Sequence, residues 1–159
     1  MSSLKKTNAM RELDVAKIKY SSLTYIVDEN NLGTEYVATK IGKSIDSVFK
    51  TLALINERKE LIIACIPGAS ELDLKKLARL ANCKRIEMLE LKELFNYTGY
   101  IRGGCSPIGI KKRHVSFIHN SVCDLNEVVI SAGQRGLQLQ IAPQMLIEHL
   151  KMTVGDIII

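Results

Sequence analysis

Several features that would assign the chain to a class at once are missing from its sequence. The longest apolar runs, such as residues 61–66, are far shorter than the roughly 18 residues of a membrane span. The polar N-terminus, MSSLKKTNAM, contains no apolar core of a secretory signal peptide. With three prolines and 47% hydrophobic residues among 159, the composition argues against a disordered or collagen-like chain. We therefore expect a single domain, residues 1–159, that works in the cytoplasm and not at a membrane.

Closely spaced cysteines are also missing. The four cysteines lie 18, 22 and 18 residues apart, so no CxxC pair is present to form a zinc site or a redox-active dithiol. We expect no bound metal and no cofactor. Cys65, Cys83 and Cys123 lie in or beside apolar stretches, where a cysteine is typically a small buried hydrophobic residue, whereas Cys105 lies in a loop.

Acidic residues are absent from one long stretch of the chain, residues 94–123. The chain has a net charge of +5. Four basic residues lie inside the stretch, namely Arg102, Lys111, Lys112 and Arg113. Such a segment neutralises phosphates in nucleic-acid complexes, or it is simply a solvated basic surface.

The spacing of apolar residues predicts a domain that mixes helices and strands. Helical periodicity is found over residues 4–18, 34–43, 71–80, 90–97 and 143–150. Short apolar runs predict strands over residues 23–27, 44–55, 60–66, 115–118, 128–131 and 137–141. This order predicts an α/β or α+β fold, with a mixed, mostly antiparallel or barrel-like sheet surrounded by helices.

Lys50 is unusual because it lies inside the apolar run VFKTLALI. On a strand it shares a face with Val48, Leu52 and Leu54. One interpretation is a lysine whose stem packs against apolar neighbours while its head reaches water. The other is a charge held at the rim of an apolar pocket, where it binds an anionic or carbonyl oxygen or forms a Schiff base.

Two glycine-rich segments are further candidates for a site. Residues 99–109 contain four glycines and Pro107, and residues 131–136 read SAGQRG, with Arg135 available as an anion contact. Glycines allow a backbone to approach a ligand closely. The first segment is neither a Walker A loop nor a GxGxxG fingerprint, which excludes nucleotide binding by those motifs. A structural turn is the alternative interpretation of both segments.

A rival arrangement pairs the Cys105 thiol, as nucleophile, with His114 or His119 as its base. The local signatures of cysteine hydrolases are absent, and neither histidine has an obvious acidic neighbour in the sequence to orient it. We therefore favour the sites built on Lys50 and the glycine-rich segments.

Taken together, VFKTL with Lys50 and Thr51, the loop GYIRGGCSPIGIKKR and the segment SAGQRGLQLQIAP resemble the YbaK/EbsC-type Cys-tRNA(Pro) deacylases. These are relatives of the editing domain inserted in bacterial prolyl-tRNA synthetases. The resemblance covers nearly the whole chain and includes Thr24 and Tyr25 on the first predicted strand. It implies the fold of that family and a trans-editing enzyme that hydrolyses cysteine mischarged onto tRNA(Pro).

The resemblance also implies which residues form the site. Lys50 matches the residue most closely tied to activity. The substrate pocket would be formed by Tyr25, Thr51, Gly103, Gly104, Cys105, Ser106, Pro107, Ser131 and Gly133. The tRNA would be bound by Arg102, Lys111, Lys112, Arg113 and Arg135. Gln138 and Gln140 depart from the family pattern, in which this stretch often carries an acidic residue, and so put a carboxylate contribution from this strand in question.

The mechanism that the family suggests also fits the residue inventory, which offers no convincing triad, metal cluster or carboxylate pair. A cysteinyl ester carries a thiol with a pKa near ~8.5, and this thiol can attack its own carbonyl. The protein then has to hold the ester and stabilise the oxyanion. We expect aminoacylated tRNA(Pro) as a partner and prolyl-tRNA synthetase as a second one. The alternatives are an editing deacylase for alanine or another small residue, and a non-catalytic module that binds tRNA or a synthetase.

Overall fold

The structure, a computed structural model, describes residues 5–159. Its helices within that range are α1 (Asn8–Val15), α2 (Thr34–Ile41), α3 (Leu74–Leu80), α4 (Leu94–Thr98) and α5 (Pro143–Leu150). Its strands there are β1 (Tyr20–Thr24), β2 (Phe49–Asn56), β3 (Leu61–Pro67), β4 (Ile86–Met88), β5 (His114–His119), β6 (Val128–Gln134), β7 (Leu137–Ile141) and β8 (Thr153–Gly155). Leu4, the predicted start of the first helix, lies outside the described residues.

The helix ends follow from local capping chemistry. The Thr7 side chain accepts a hydrogen bond from the Met10 N–H and so begins α1, and the Asp73 carboxylate does the same at α3. Gly42 ends α2 in the left-handed conformation, with φ of 70°, which glycine adopts without steric cost. Pro143 occupies the first turn of α5, as the sequence predicted.

The strands form two sheets. In the three-stranded sheet the order is β1-β7-β6, and both pairs are antiparallel. In the five-stranded sheet the order is β4-β2-β3-β5-β8, with antiparallel pairs at β4-β2 and β2-β3 and parallel pairs at β3-β5 and β5-β8. The predicted α+β class with a mixed, mostly antiparallel sheet is confirmed. The barrel-like alternative does not apply, because the described strands form two open sheets.

One edge of β2 is shared by two neighbours. Its other edge pairs with β3 along the whole strand. On the shared edge β4 pairs with residues 54–56, while Val48, just before the strand, forms a parallel bridge with Val129 of β6. Residues 50–52 lie between these two contacts. The backbone therefore opens a gap at Lys50.

The hydrophobic residues divide into two large clusters, one on each face of the five-stranded sheet. One cluster joins both sheets with α1 and α5, and it contains Phe49, Ile63 and Leu139. The other packs α3 against the opposite face through Leu77 and Ile62. Every residue of β3 is buried, as expected for a central strand covered on both faces.

Some predicted boundaries were wrong. The predicted strand over 44–55 begins only at Phe49, because residues 45–47 form a single 3-10 turn capped by Ser44. The predicted strand over 23–27 is displaced to Tyr20–Thr24, where it pairs with β7. The short strands β4 and β8 were not predicted at all. In the described part of the chain, no helix has the length and apolar composition needed to cross a membrane.

Candidate active site

A cavity of about 690 Å³ opens at the gap in the edge of β2. One wall is the turn before α2 together with its first residues, and the floor is the first half of β2. The segment between β4 and α4 and the loop after α4 form the opposite wall. Ser131 of β6 and Gln138 of β7 close the inner end. Cavities of this size hold small organic ligands.

Lys50 lies in the floor of this cavity and is half-buried. The neighbouring Phe49 points into the core, and Lys50 itself pairs with Ile66 of β3. The strand thus fixes the lysine by backbone pairing and by burial of the adjacent side chain. Within residues 5–159 Lys50 forms no salt bridge. Its ammonium is therefore available to a ligand oxygen.

Ser131 is aligned with Lys50 by the bridge between the two sheets. Lys50 lies two residues after Val48, and Ser131 lies two residues after Val129, in strands that run parallel at that bridge. Gln138 is the antiparallel partner of Ser131. Residues paired directly across a sheet share a face, so Lys50, Ser131 and Gln138 form a row of polar side chains along the inner end of the cavity.

The loop over residues 99–109 packs closely on the turn between β6 and β7. A Cβ atom on Gly104 would lie 3.0 Å from the Gln134 Cα atom, so a larger residue would push the two backbones apart by a few tenths of an ångström. The Arg135 Nε–H donates a hydrogen bond of 2.8 Å to the Arg102 carbonyl oxygen, which ties the turn to the loop. Glycine at position 104 therefore serves the packing of two protein segments.

The structure brings only some of the predicted site residues to the cavity. Those that line it are Lys50, Thr51, Arg102, Gly103, Cys105 and Ser131. Gly104, Ser106 and Pro107 are buried behind the loop surface, and Gly133 packs against the Tyr100 ring. Tyr25 lies beyond the end of β1, where its N–H donates to the Gly136 carbonyl. Lys111, Lys112 and Arg113 are exposed residues that precede β5.

The last of the basic residues after the loop, Arg113, lies at the far end of the five-stranded sheet, whereas Lys112 contacts α4, whose first residue Leu94 lines the cavity. His114, next to Arg113, is level with Leu61, which in turn pairs with Ile55 of β2. Ile55 is about 17 Å along the strand from Lys50, at roughly 3.4 Å per residue. Lys112 Nζ lies 4.3 Å from the centre of the Tyr97 ring. Only Arg102 of the predicted tRNA-binding residues lines the cavity itself.

Cys105 is not paired with a histidine. Burial raises the pKa of its thiol to about 11, although the Thr98 hydroxyl opposes this shift. The His114 ring contacts the Lys112 carbonyl, and the His119 ring contacts Ser121. Neither histidine lines the cavity. The rival nucleophile and base are thus not assembled in the described residues.

The other cysteines only partly follow the sequence interpretation. Cys65 is fully buried beside the Thr51 hydroxyl, and burial raises the pKa of its thiol to about 12. Cys83 is half-buried, whereas Cys123 is exposed and is therefore not a buried hydrophobic residue. No group of three or more His, Cys, Asp or Glu side chains that could hold a metal ion occurs within residues 5–159.

Gln138 is one of the lining residues that sequence reasoning missed, as are Glu35 and Tyr36. The alternation of Leu137 and Leu139 with Gln138 and Gln140 indicated a two-faced strand, but not which glutamine faces a cavity. In the structure Gln138 lines the cavity, while the Gln140 amide donates to Glu127 at the surface. The predicted departure from the family pattern at position 138 therefore lies inside the candidate site.

Comparison with known protein families shows the class to which this chain belongs. The model of the aminoacyl-tRNA editing domain family matches residues 28–148. A protein of Enterococcus faecalis, described as a candidate Cys-tRNA(Pro)/Cys-tRNA(Cys) deacylase and named EbsC, is 42% identical over 142 residues, which are 89% of this chain and 87% of that protein. This chain belongs to the aminoacyl-tRNA editing domain family, as its motifs predicted.

Solved structures share the whole architecture. A candidate trans-editing enzyme for prolyl-tRNA synthetase superposes with a TM-score of 0.81 at 20% identity, covering 99% of both chains. The hypothetical protein APE2540 superposes with a TM-score of 0.88 at 19% identity, covering 96% of this chain and 100% of the other. At these identities the superpositions establish the fold alone.

Proposed function

We propose that this chain is a trans-editing deacylase that hydrolyses the ester of cysteine mischarged onto tRNA(Pro). The observation that carries the proposal is the half-buried Lys50, which forms no salt bridge with a described residue and lies in a cavity without an assembled protein nucleophile. Membership of the editing family and the 42% identity with the EbsC protein support the same reaction.

The substrate supplies the attacking group. The cysteinyl thiolate forms a bond to its own ester carbonyl carbon and gives a tetrahedral oxyanion. Collapse of this intermediate breaks the bond to the ribose oxygen, which takes up a proton and leaves as free tRNA. The amino acid is released as a four-membered thiolactone, which water opens to cysteine.

Lys50 stabilises the developing oxyanion in this scheme. A compact ammonium on a strand is held in place before the reaction, so its attraction to the new negative charge requires no reorganisation. Ser131, the next polar group in the row at the inner end, is available to orient the ester. Thr51, Gly103 and Cys105 bound the space for the amino-acid side chain.

The body of the tRNA would bind outside the cavity. Arg102 at the cavity wall and the exposed Lys111, Lys112 and Arg113 offer contacts to phosphates. We assign Arg135 to the loop contact described above rather than to a free phosphate site. Prolyl-tRNA synthetase is the partner that would deliver the mischarged tRNA, and both act in the cytoplasm.

A deacylation panel tests the proposal. Single-turnover hydrolysis is measured with cysteinyl-, alanyl-, seryl- and prolyl-tRNA(Pro), using the parent protein and the Lys50→Ala variant. We expect cysteinyl-tRNA(Pro) to react fastest and Lys50→Ala to lose this activity. Preference for the alanyl ester would instead favour an alanine deacylase. Binding without hydrolysis of any ester would favour a non-catalytic tRNA-binding module.

A further inference from the structure

The side-chain amide of Gln138 has no hydrogen-bond partner among residues 5–159, although the residue is only 5% exposed. Its strand neighbours Leu137 and Leu139 lie in the core, so by strand alternation Gln138 points the opposite way, toward the cavity that it lines. Within the described chain, every side-chain nitrogen or oxygen that is fully enclosed has a hydrogen-bond partner. The unpartnered amide of Gln138 is therefore not fully enclosed, and its small exposed area faces the cavity. Buried amides normally have partners. This amide is therefore free to bond to whatever occupies the cavity.

The charges around the cavity determine what kind of group can occupy that position. The titratable side chains that line the cavity are Glu35, Tyr36, Lys50, Arg102 and Cys105. Glu35 is exposed on the first turn of α2, and it is the one carboxylate among the lining residues that the structure describes. The inner end carries the Lys50 ammonium with the uncharged Ser131 and Gln138. A second positive charge placed there would meet Lys50 without a compensating carboxylate.

We propose that Gln138 is a specificity-determining residue that binds the α-nitrogen of the aminoacyl ester in its uncharged form, so that N-acylated aminoacyl esters are substrates as well. This inference rests on the deacylase function proposed above. A carboxamide offers one acceptor and two donor hydrogens, which match the N–H and lone pair of a neutral amine or the N–H and C=O of an amide. A carboxylate would instead select an ammonium group.

The chemistry of the substrate makes this distinction meaningful. An ordinary α-amino group has a pKa of about 7.7–8.0, and the electron-withdrawing ester lowers the pKa further. The neutral amine is therefore a populated form near neutral pH, and Lys50 disfavours the protonated form inside the cavity. N-acylation removes the charge altogether and leaves the substrate thiol in place.

The first experiment compares cysteinyl-tRNA(Pro) with N-acetyl-cysteinyl-tRNA(Pro) in single-turnover hydrolysis by the parent protein. We expect the two rate constants to agree within about tenfold, because no buried charge pair is lost on acetylation. If the parent protein hydrolyses the free-amine ester but reacts more than about a hundredfold more slowly with the acetylated one, the inference is wrong. If it hydrolyses neither ester, the deacylase function itself fails, which is a separate result.

The second experiment changes the residue. Gln138→Glu should favour the free-amine ester over the acetylated ester by at least about tenfold relative to the parent ratio, because a carboxylate attracts an ammonium and cannot donate to an acetyl C=O. Pairing of the new carboxylate with Lys50 would slow both esters alike and leave this shift in the ratio unaffected. Gln138→Met, which keeps the volume without polar atoms, should slow both esters by similar factors. Gln140→Glu adds the same charge to the same strand outside the cavity and should leave the ratio unchanged. An unchanged ratio in a folded Gln138→Glu protein, checked by its melting curve, would overturn the inference.

Discussion

Positive charge is presented in opposite ways at the start of β2 and on the basic segment before β5, residues 111–113. At the start of the strand Lys50 is half-buried, held by sheet pairing and placed beside uncharged polar groups. On the basic segment Lys111, Lys112 and Arg113 are exposed, and Lys112 contacts the face of the Tyr97 ring. The first arrangement suits stabilisation of a charge that appears during a reaction. The second suits screening of phosphates that are charged throughout.

If the cavity around Lys50 controls the chemistry, the identity of the substrate's own nucleophile should have the largest effect on the rate of hydrolysis. Seryl-tRNA(Pro) differs from cysteinyl-tRNA(Pro) by one atom, but its hydroxyl is scarcely ionised at neutral pH. We expect seryl-tRNA(Pro) to react about 10³-fold more slowly, whereas a size difference alone would give only about 10–200-fold. Single-turnover hydrolysis at saturating protein measures this ratio. Equal rates for the two esters would contradict the self-attack mechanism.

Removal of the cavity charge should have the next largest effect. We expect Lys50→Ala to lower the single-turnover rate constant about 10²–10³-fold, the usual loss when one oxyanion-stabilising group is removed. Lys50→Arg should not restore the rate, because a planar guanidinium places its donors differently from an ammonium. Lys75→Ala, an exposed lysine on α3, is the matched control. A Lys50→Ala protein that melts like the parent and keeps its rate would remove Lys50 from the mechanism.

Changes in the basic segment before β5 should weaken tRNA binding and leave the rate of ester cleavage nearly unchanged. The double variant Lys111→Glu, Lys112→Glu should weaken tRNA binding and reduce the slope of log affinity against log salt by about 2. Its rate constant at saturation should stay within about twofold of the parent value, because phosphate contacts position the substrate without taking part in ester cleavage. Reversal of Lys75 and Arg79, which lie on α3, is the control. A salt slope identical to that of the parent would show that these lysines do not meet phosphates.

The smallest effect is expected for the cavity thiol. Cys105→Ala should retain activity within about threefold, because burial raises the pKa of this thiol to about 11 and so leaves almost no thiolate at neutral pH. Hydrolysis of cysteinyl-tRNA(Pro) by this variant is the measurement. Loss of activity in Cys105→Ala, together with equal rates on seryl and cysteinyl esters, would restore the cysteine-nucleophile mechanism.

Long apolar runs and the three motifs predicted the main elements and the family, because burial and backbone chemistry leave strong local signals. The strands β4 and β8 have three residues each, too few for a periodic pattern to be recognised. The site was harder to predict. The loop glycines indicated ligand approach, yet Gly104 meets the Gln134 backbone instead. The short strands and the site both depend on which segments meet in space, and a single sequence does not contain that information.

The basic segment shows the same limit. In the sequence it follows the glycine-rich loop directly. In the structure Cys105 of the loop lines the cavity, whereas Arg113, eight residues later, lies at the far end of the sheet, and the sequence alone does not show this separation. Conversely, Lys50 and Gln138 are 88 positions apart in the chain, but both line the cavity.

The bridge between Val48 and Val129 also has a mechanical consequence. Lys50 and Ser131 lie two residues beyond this bridge, whereas the opposite wall of the cavity, at Leu91, lies on a separate segment. If the two sheets rotate slightly about the bridge, points near the pivot move least. The distance between Lys50 and Ser131 would then stay nearly constant while the mouth of the cavity widens or narrows. Such a rotation would admit the aminoacyl end of a tRNA without displacing the groups that hold its ester bond.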